Sequence, residues 1–497
     1  MSSENERPYL FMVRLGAEVT TKSRRTRRRF QRRLVRNVED ALTSAGMSHR
    51  VEDRWNRILV EASDPEAIDR AASVFGISSL SPVDARVQAD LGTLVETGKQ
   101  LYGETVKGRR YAVECSRQGT HPFSSRDVKV ELGAALNPGA TVDLDHPEVT
   151  VEVDIREDVA YLLHERVPGH GGLPLGVQGT AVCLISGGFD SAAAAWLMLK
   201  RGIRLEYVFC NLAGAAYERS VVMVARILAE EWSHGYQPRL HVVPFEETVD
   251  ALRASCTPRY WQVVLKRLMY QAAESVATSV GGEAIITGES LGQVSSQTLG
   301  NLRAIEDAVE LPVFRPLLGM DKHEIIALTE SIGTAALSAR IREYCAILPD
   351  RPVTHSSPAA ARDESSRIDP AILDRAVASR RTLDLRSLDA RDLVEPYVFT
   401  DEVKEGVDVL DCRSAHHYRA WHYPGAKRCD PGELPGHLAQ MDKERSYVLY
   451  CDQGVRTAQL AELMQRLGYD AYSFRGGTPA LRRWSEALAS TGEALPR

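Results

Sequence analysis

The chain has 497 residues, too many for one hydrophobic core, and the ordinary size of domains points to three or four units. Its hydrophobic share of 44% and charged share of 26% are those of a globular protein, and no unbroken apolar stretch reaches the roughly 20 residues a membrane helix needs. A net charge of −6 gives no overall reason to bind nucleic acid, and eight thinly spread cysteines without a Cys-x-x-Cys pair argue against a disulfide framework and structural zinc.

At the N-terminus no apolar segment follows the first charges, and Glu4, Glu6 and Glu18 sit badly with an acid-poor transit peptide, so the expected location is the cytoplasm. Residues 9 to 15 read as a strand. From Lys22 to Arg36 there are nine basic residues and no acid, on a helix whose Phe30, Leu34, Val38 and Leu42 recur every four positions. Its arginines, among them Arg24, Arg25, Arg28, Arg29 and Arg32, form either a solvated charged face or a landing site for a polyanion, because phosphate contact relieves their mutual repulsion. Lys107, Arg109, Arg110, Arg117 and Lys129 extend that basic surface. A strand over 55 to 60, a helix over 65 to 74 and a turn at Ser81-Pro82 complete a small α+β unit ending near residue 80. A strand over 111 to 115, a helix over 127 to 136 and the alternation of Val149, Val151, Val153 and Ile155 mark a second unit to residue 170.

The Gly- and Pro-punctuated residues 168 to 179 read as a connector. Apolar runs at 181 to 185, 205 to 210, 240 to 243 and 284 to 287 then alternate with helical stretches, the pattern of a doubly wound parallel sheet that binds nucleotides, ending at about 348. Residues 349 to 395 are expected to be a linker with some helix after Pro370. A last α/β unit runs from 396 to 497.

Two motifs carry the chemistry. The strand at 181 to 185 enters Ser186-Gly187-Gly188-Phe189-Asp190-Ser191 and then a helix, so backbone N–H groups and the positive helix end form an anion cradle. It lacks the Gly-Lys-Ser/Thr of a P-loop and resembles the PP-loop of ATP pyrophosphatases, with Asp190 expected to place Mg²⁺ and pyrophosphate. The polar loop 287 to 298 follows another strand at the edge where open sheets bind ligands. Lys322 could stabilise developing negative charge, although a lone lysine reads sooner as a surface residue. The second motif is Cys451, which ends a strand and is followed by Asp452, Gln453, Gly454 and Val455 before Arg456 and a helix. Such a loop favours a thiolate or persulfide. Cysteine phosphatases place five residues between cysteine and arginine; four favour sulfur transfer. Cys345 reads equally as a packed or a reactive cysteine, while Cys183 and Cys210 read as core. Cys412, His416, His417, His422 and Cys429 fit no common zinc spacing, and no metal site is expected there.

Together these residues resemble the tRNA 4-thiouridine synthetase family over nearly the whole chain. Cys115-Ser-Arg-Gln-Gly119, His121-Pro-Phe-Ser124, Asp127-Val, a Gly133-Ala turn and Val142-Asp-Leu144 are similar to a THUMP domain; Gly171-Gly-Leu-Pro-Leu-Gly176, the PP-loop and residues 287 to 298 follow in the family's order. The resemblance implies an N-terminal ferredoxin-like domain (1 to 80) and a THUMP domain (81 to 170) that grip tRNA, a PP-loop domain (171 to 348), and a C-terminal rhodanese-like domain. It implies that Leu184, Ile185, Lys266, Gly288 and Gln297 contact ATP and that Cys345 is the family's second cysteine. Trp421 departs from the Gly that rhodanese domains usually place before His.

The implied reaction adenylates the 4-oxygen of a uridine, expected at tRNA position 8. A cysteine desulfurase loads Cys451 with persulfide, and Cys345 resolves it through a disulfide. Sulfur supply for the thiamine thiazole, through a sulfur-carrier protein, is a second implied activity. Three other readings compete: a PP-loop amidating ligase, which would have no use for Cys451 or the basic arm, a dedicated sulfur relay, and a non-enzymatic tRNA-binding protein.

Overall fold

The computed structural model describes residues 8–54, 57–212, 215–339, 351–388, 398–413, 415–430, 434, 438–451 and 455–491. They form two compact units, the first reaching Gln178 and including Leu199–Ile203 and Trp232–Tyr236, the second comprising the remainder.

The first unit contains two five-stranded sheets. In the N-terminal one, Tyr9–Leu15 lies between Arg57–Ala62 and Ile77–Pro82, with His49–Arg54 and Val167–Pro168 at the edges, all pairing antiparallel. The alternation of Phe11, Val13 and Leu15 turns one face toward the helix Arg24–Ser44, whose Phe30, Leu34, Val38 and Leu42 fill the same core. The four-residue stripe therefore does what the sequence predicted. Two local expectations shift: the strand placed at 55 to 60 is Arg57–Ala62, paired with a preceding strand, and Ser81-Pro82 ends a strand instead of making a turn.

The second sheet has Val149–Arg156 parallel to Arg110–Gln118 and antiparallel to Val159–Leu163. Two helices pack on it. Leu91–Val106 is capped by Asp90, whose side chain accepts from the Thr93 N–H, and Ser125–Leu136 by a reciprocal Ser124/Asp127 box. Gly133, expected in a turn, lies inside the second helix, and its carbonyl accepts from the Tyr111 hydroxyl at 2.6 Å.

In the second unit a six-stranded sheet runs Val313–Phe314, Ile285–Ile286, Thr180–Leu184, Arg204–Asn211, Arg239–Pro244 and Arg381–Asp384. The first five are parallel and the last is antiparallel. Val182, Val208, Val243 and Ile285 share one core with Leu268, Ala272 and Val276 of the helix Trp261–Val280. The chain builds outward from Thr180–Leu184 in one direction and returns to its other side with Ile285–Ile286, which places the topological switch beside these two strands.

The expected linker is corrected here. Residues 358–384 form two helices and the sixth strand of this sheet. Their Ser, Pro and Asp residues are helix starts: Ser357 and Asp369 cap Pro358–Ser365 and Pro370–Ala378, each with Pro at the first position. Ile368, Leu373 and Ala376 then bury themselves in the nucleotide-domain core.

A separate five-stranded parallel sheet, ordered Phe399–Thr400, Asp470–Phe474, Ser446–Tyr450, Asp408–Asp411 and Lys427–Arg428, forms the C-terminal α/β fold.

Candidate active site

Strand Thr180–Leu184 ends at a loop that turns directly into helix Phe189–Lys200. Gly187 has φ of +77°, a left-handed conformation that L side chains rarely adopt. Ser191 ties the loop together: its hydroxyl accepts from the Ser186 N–H at 3.2 Å and donates to the Gly188 carbonyl at 3.1 Å. The Gly187 carbonyl is held by the Ser338 hydroxyl at 2.9 Å, and that of Ser186 by Tyr217 at 3.1 Å. Across the switch point, Gly288 follows the neighbouring strand so closely that a Cβ there would lie 2.6 Å from Asp190 C and Ser191 N. Only glycine lets the two loops meet.

Between them lies a cleft of about 500 Å³ lined by Leu184, Ile185, Ser186, Asp190, Ser191, Lys266, Gly288 and Gln297, together with apolar Val208, Phe209 and Met269. Apolar walls with backbone amides at one end suit a nucleotide. Gly187 and Gly188 shape the loop without lining the cleft. Gln297 accepts from the Ser290 N–H at 3.3 Å and so holds the second loop closed.

Asp190 is buried, with one carboxylate oxygen 2.7 Å from Lys322 Nζ and the other accepting from Gln293 Nε2 at 2.9 Å. Lys322 is thus no stray surface lysine. It occupies the first position of a helix whose Asp321/Glu324 capping box fixes its direction, and its ammonium lies 5.5 Å from the centre of the Phe189 ring.

Around Lys266, a buried cluster whose other members the sequence did not single out supports the cleft wall. The Glu289 carboxylate accepts from Lys266 Nζ at 2.7 Å, Arg315 Nε at 2.9 Å, Thr287 Oγ1 at 3.1 Å and the Tyr270 hydroxyl. Burial alone would raise the Glu289 carboxyl; Lys266, Tyr270 and Arg315 outweigh it and hold it well below its ordinary value. Burial, reinforced by Glu289, pushes the Tyr270 hydroxyl well up. The available signal was spacing: Tyr270 lies four residues after Lys266 on one helix, and Glu289 and Arg315 each follow a predicted or short strand end.

In the C-terminal fold, Cys451 directly follows strand Ser446–Tyr450. Its Sγ is 3.6 Å from Thr457 Oγ1, and its carbonyl accepts from the Thr478 N–H at 2.9 Å. The strand beneath is braced by buried Asp411, which accepts from Arg413 Nε at 2.9 Å and from the Tyr450 hydroxyl at 2.6 Å. Trp421 is accommodated because its carbonyl accepts from Arg413 and its ring lies 5.8 Å from that guanidinium. Cys345, Asp452, Gln453 and Gly454 lie outside the described residues, as do the side chains of Val455 and Arg456.

On the basic helix, Arg24, Arg25, Arg28, Arg29 and Arg32 are exposed, and among the described residues none pairs with a carboxylate. The other basic candidates differ. Lys107 pairs with Glu104, Arg110 with Asp143 and Glu148, and Lys129 with Glu114; Arg117 donates to the Gly119 carbonyl, and Arg109 is exposed.

Models of four families match in sequence: the ThiI ferredoxin-like domain over residues 10–81, the THUMP domain over 88–165, Thiamine biosynthesis protein (ThiI) over 176–369, and the rhodanese-like domain over 396–483. The tRNA sulfurtransferase of Pyrobaculum aerophilum is 36% identical, over 93% of this chain and 96% of its own length. The chain belongs to the tRNA sulfurtransferase family. The tRNA sulfurtransferases of Marinobacter nauticus, at 33% identity, and Pseudomonas aeruginosa, at 36%, match across 92% and 89% of the chain and 97% and 95% of their own lengths.

Among solved structures, a 4-thiouridine synthetase in complex with RNA and bound ATP superposes with a TM-score of 0.68 at 29% identity, covering 76% of this chain and 99% of that one. The architecture expected from the sequence is therefore the observed one: ferredoxin-like, THUMP, PP-loop and rhodanese-like folds in that order. No helix among the described residues is long and apolar enough to cross a membrane.

Proposed function

We propose that this chain makes 4-thiouridine in tRNA, adenylating the uracil 4-oxygen in the PP-loop cleft and supplying sulfur from a persulfide on Cys451. The observation that carries this reading is the convergence of Ser186, Asp190, Ser191, Gly288 and Gln297 on one cleft of about 500 Å³ in a chain that also ends a rhodanese strand with cysteine. The helix start at Phe189 faces the phosphate chain, and the apolar wall receives the base and ribose. Asp190 would hold Mg²⁺ through its carboxylate oxygens, the ion supplying charge neutralisation at the phosphates, and Lys322 would offer its ammonium to a phosphate oxygen. Glu289 positions Lys266 at the cleft wall.

Adenylation turns the uracil oxygen into the leaving group AMP, which sulfur replaces at the same carbon. Cys345 resolves the persulfide by a disulfide to Cys451. The exposed arginines of the N-terminal helix and the basic THUMP residues hold the tRNA phosphates, with position 8 as the target. The working boundaries are 1–80, 81–170, 171–348 and 396–497, with 358–384 added to the nucleotide domain. The setting is the cytoplasm, the sulfur donor a cysteine desulfurase, and a sulfur-carrier protein of the thiazole pathway a second acceptor.

The deciding assay supplies unmodified tRNA, ATP, cysteine and a desulfurase. Wild-type protein is expected to form 4-thiouridine, Asp190→Ala to load sulfur without thiolating, and Cys451→Ser to bind ATP without transferring sulfur. Full thiolation by Cys451→Ser under limiting reductant would sink the persulfide step.

A further inference from the structure

Three adjacent parallel strands of the rhodanese-like sheet end at the same level, and each is followed at once by a cysteine. Lys427–Arg428, Asp408–Asp411 and Ser446–Tyr450 are neighbours in that order, with Asp411 opposite both Arg428 and Tyr450. The next residues are Cys429, Cys412 and Cys451. The ladder continues into them: the Cys412 N–H donates to the Tyr450 carbonyl at 2.8 Å, and the Cys429 N–H to that of Asp411 at 2.9 Å. Residues level on neighbouring parallel strands point to the same face, and strands lie about 4.8 Å apart. Cys412 and Cys451, both free thiols, accordingly share one buried cluster, against which Cys429 packs.

We infer that Cys412 is a resolving cysteine inside the rhodanese-like fold, able to release the sulfur of a Cys451 persulfide as sulfide without Cys345. The inference rests on Cys451 as the sulfur carrier. In the step, the Cys412 sulfur bonds to Cys451 Sγ and the bond from that Sγ to the outer sulfur breaks. The outer sulfur leaves with the bonding electrons, takes the Cys412 proton and departs as H₂S. It is thereby reduced to sulfide while the two cysteines become a disulfide, which an external dithiol reduces to restart the cycle. The spacing of neighbouring strands falls within the roughly 4.4 to 6.8 Å between Cα atoms that a disulfide spans.

Burial, beside Cys429, Cys451, Asp411 and Asp430, pushes the Cys412 thiol strongly up. A thiol held protonated is a poor first acceptor of sulfur, and it becomes a nucleophile only as its proton passes to the departing sulfur. Its proton is also the one the departing sulfide requires.

The test uses full-length Cys345→Ser and Cys345→Ser/Cys412→Ala proteins, loaded by a cysteine desulfurase with cysteine and then freed of small molecules. Cyanide-reactive sulfur is measured at the start, released sulfide over time, and disulfide-linked tryptic fragments after alkylation. Equal initial loading of both proteins shows that the alanine variant is folded. The Cys345→Ser protein is expected to release sulfide and to join the fragment 405–413 to 446–456, and the added Cys412→Ala to slow release at least tenfold and abolish that pair. Equal release by both loaded proteins, or a fragment 446–456 joined to 429–443 instead, overturns the role of Cys412. Failure of the Cys345→Ser protein to load is a different result: it overturns Cys451 as carrier, and this step with it; if only the added Cys412→Ala fails to load, the fragments joined in the Cys345→Ser protein decide.

Discussion

Asp190 shares its carboxylate between Lys322 and Gln293, so Asp190 and Lys322 act as a pair and removal of the carboxylate leaves the Lys322 ammonium without that partner. Asp190→Ala is expected to lower thiolation about 10²-fold or more, with Lys322→Ala similar and the double variant little worse than the single ones, measured as kcat on saturating tRNA. Gly288→Ala tests the close approach of the loops. Its Cβ, 2.6 Å from Asp190 C and Ser191 N, forces them apart, and equilibrium ATP binding should be abolished while tRNA binding persists.

Glu289 carries stability of its own. Glu289→Gln breaks a buried charge cluster and is expected to cost about 3 to 5 kcal/mol, read from denaturant unfolding of the nucleotide domain. Because its folded carboxyl is depressed, its contribution is fully present above the unfolded value near about 4.3 and disappears as pH falls through the folded value. The wild-type advantage over Glu289→Gln should therefore shrink in acid and be constant from pH 6 to 8. An advantage that grew in acid would contradict the assignment.

At the scale of elements, the basic helix divides its labour by face. Phe30, Leu34, Val38 and Leu42 hold it to the sheet, leaving Arg24, Arg25, Arg28, Arg29 and Arg32 exposed. Replacing those five by alanine should leave stability unchanged and weaken tRNA binding. The slope of log affinity against log salt should fall by roughly 0.7 to 0.9 for each phosphate that the variant no longer neutralises. A slope equal to wild type would mean the face is merely solvated. The segment 358–384 makes the opposite case, an element whose polar composition suggests solvent although its apolar residues are core. Leu373→Ala is expected to cost about 2 to 5 kcal/mol in unfolding, which no linker residue would.

Across the whole molecule, the cleft beside Ser186 to Ser191 and the cysteine Cys451 belong to separate sheets, each at the ends of parallel strands. Much of this was legible in the sequence. Period-two and period-four apolar patterns gave the strands and the basic helix, since burying one face imposes that repeat, and Ser186 to Ser191 announced a tight strand–loop–helix turn because the glycines, the strand before and the helix after are all local. The place of Cys451 at a strand end was legible for the same reason. Meetings between segments distant in sequence were not. Nothing near Lys322 says that residue 190 lies 2.7 Å away, and nothing near Glu289 names Tyr270 or Arg315, because those meetings are set by the order of strands in the sheet. The level alignment of Cys429, Cys412 and Cys451 is of this kind as well. Local sequence thus determined which groups the chain carries and which face of each element is buried; strand order and register decided which groups meet, because only the folded sheet brings distant strand ends to one edge.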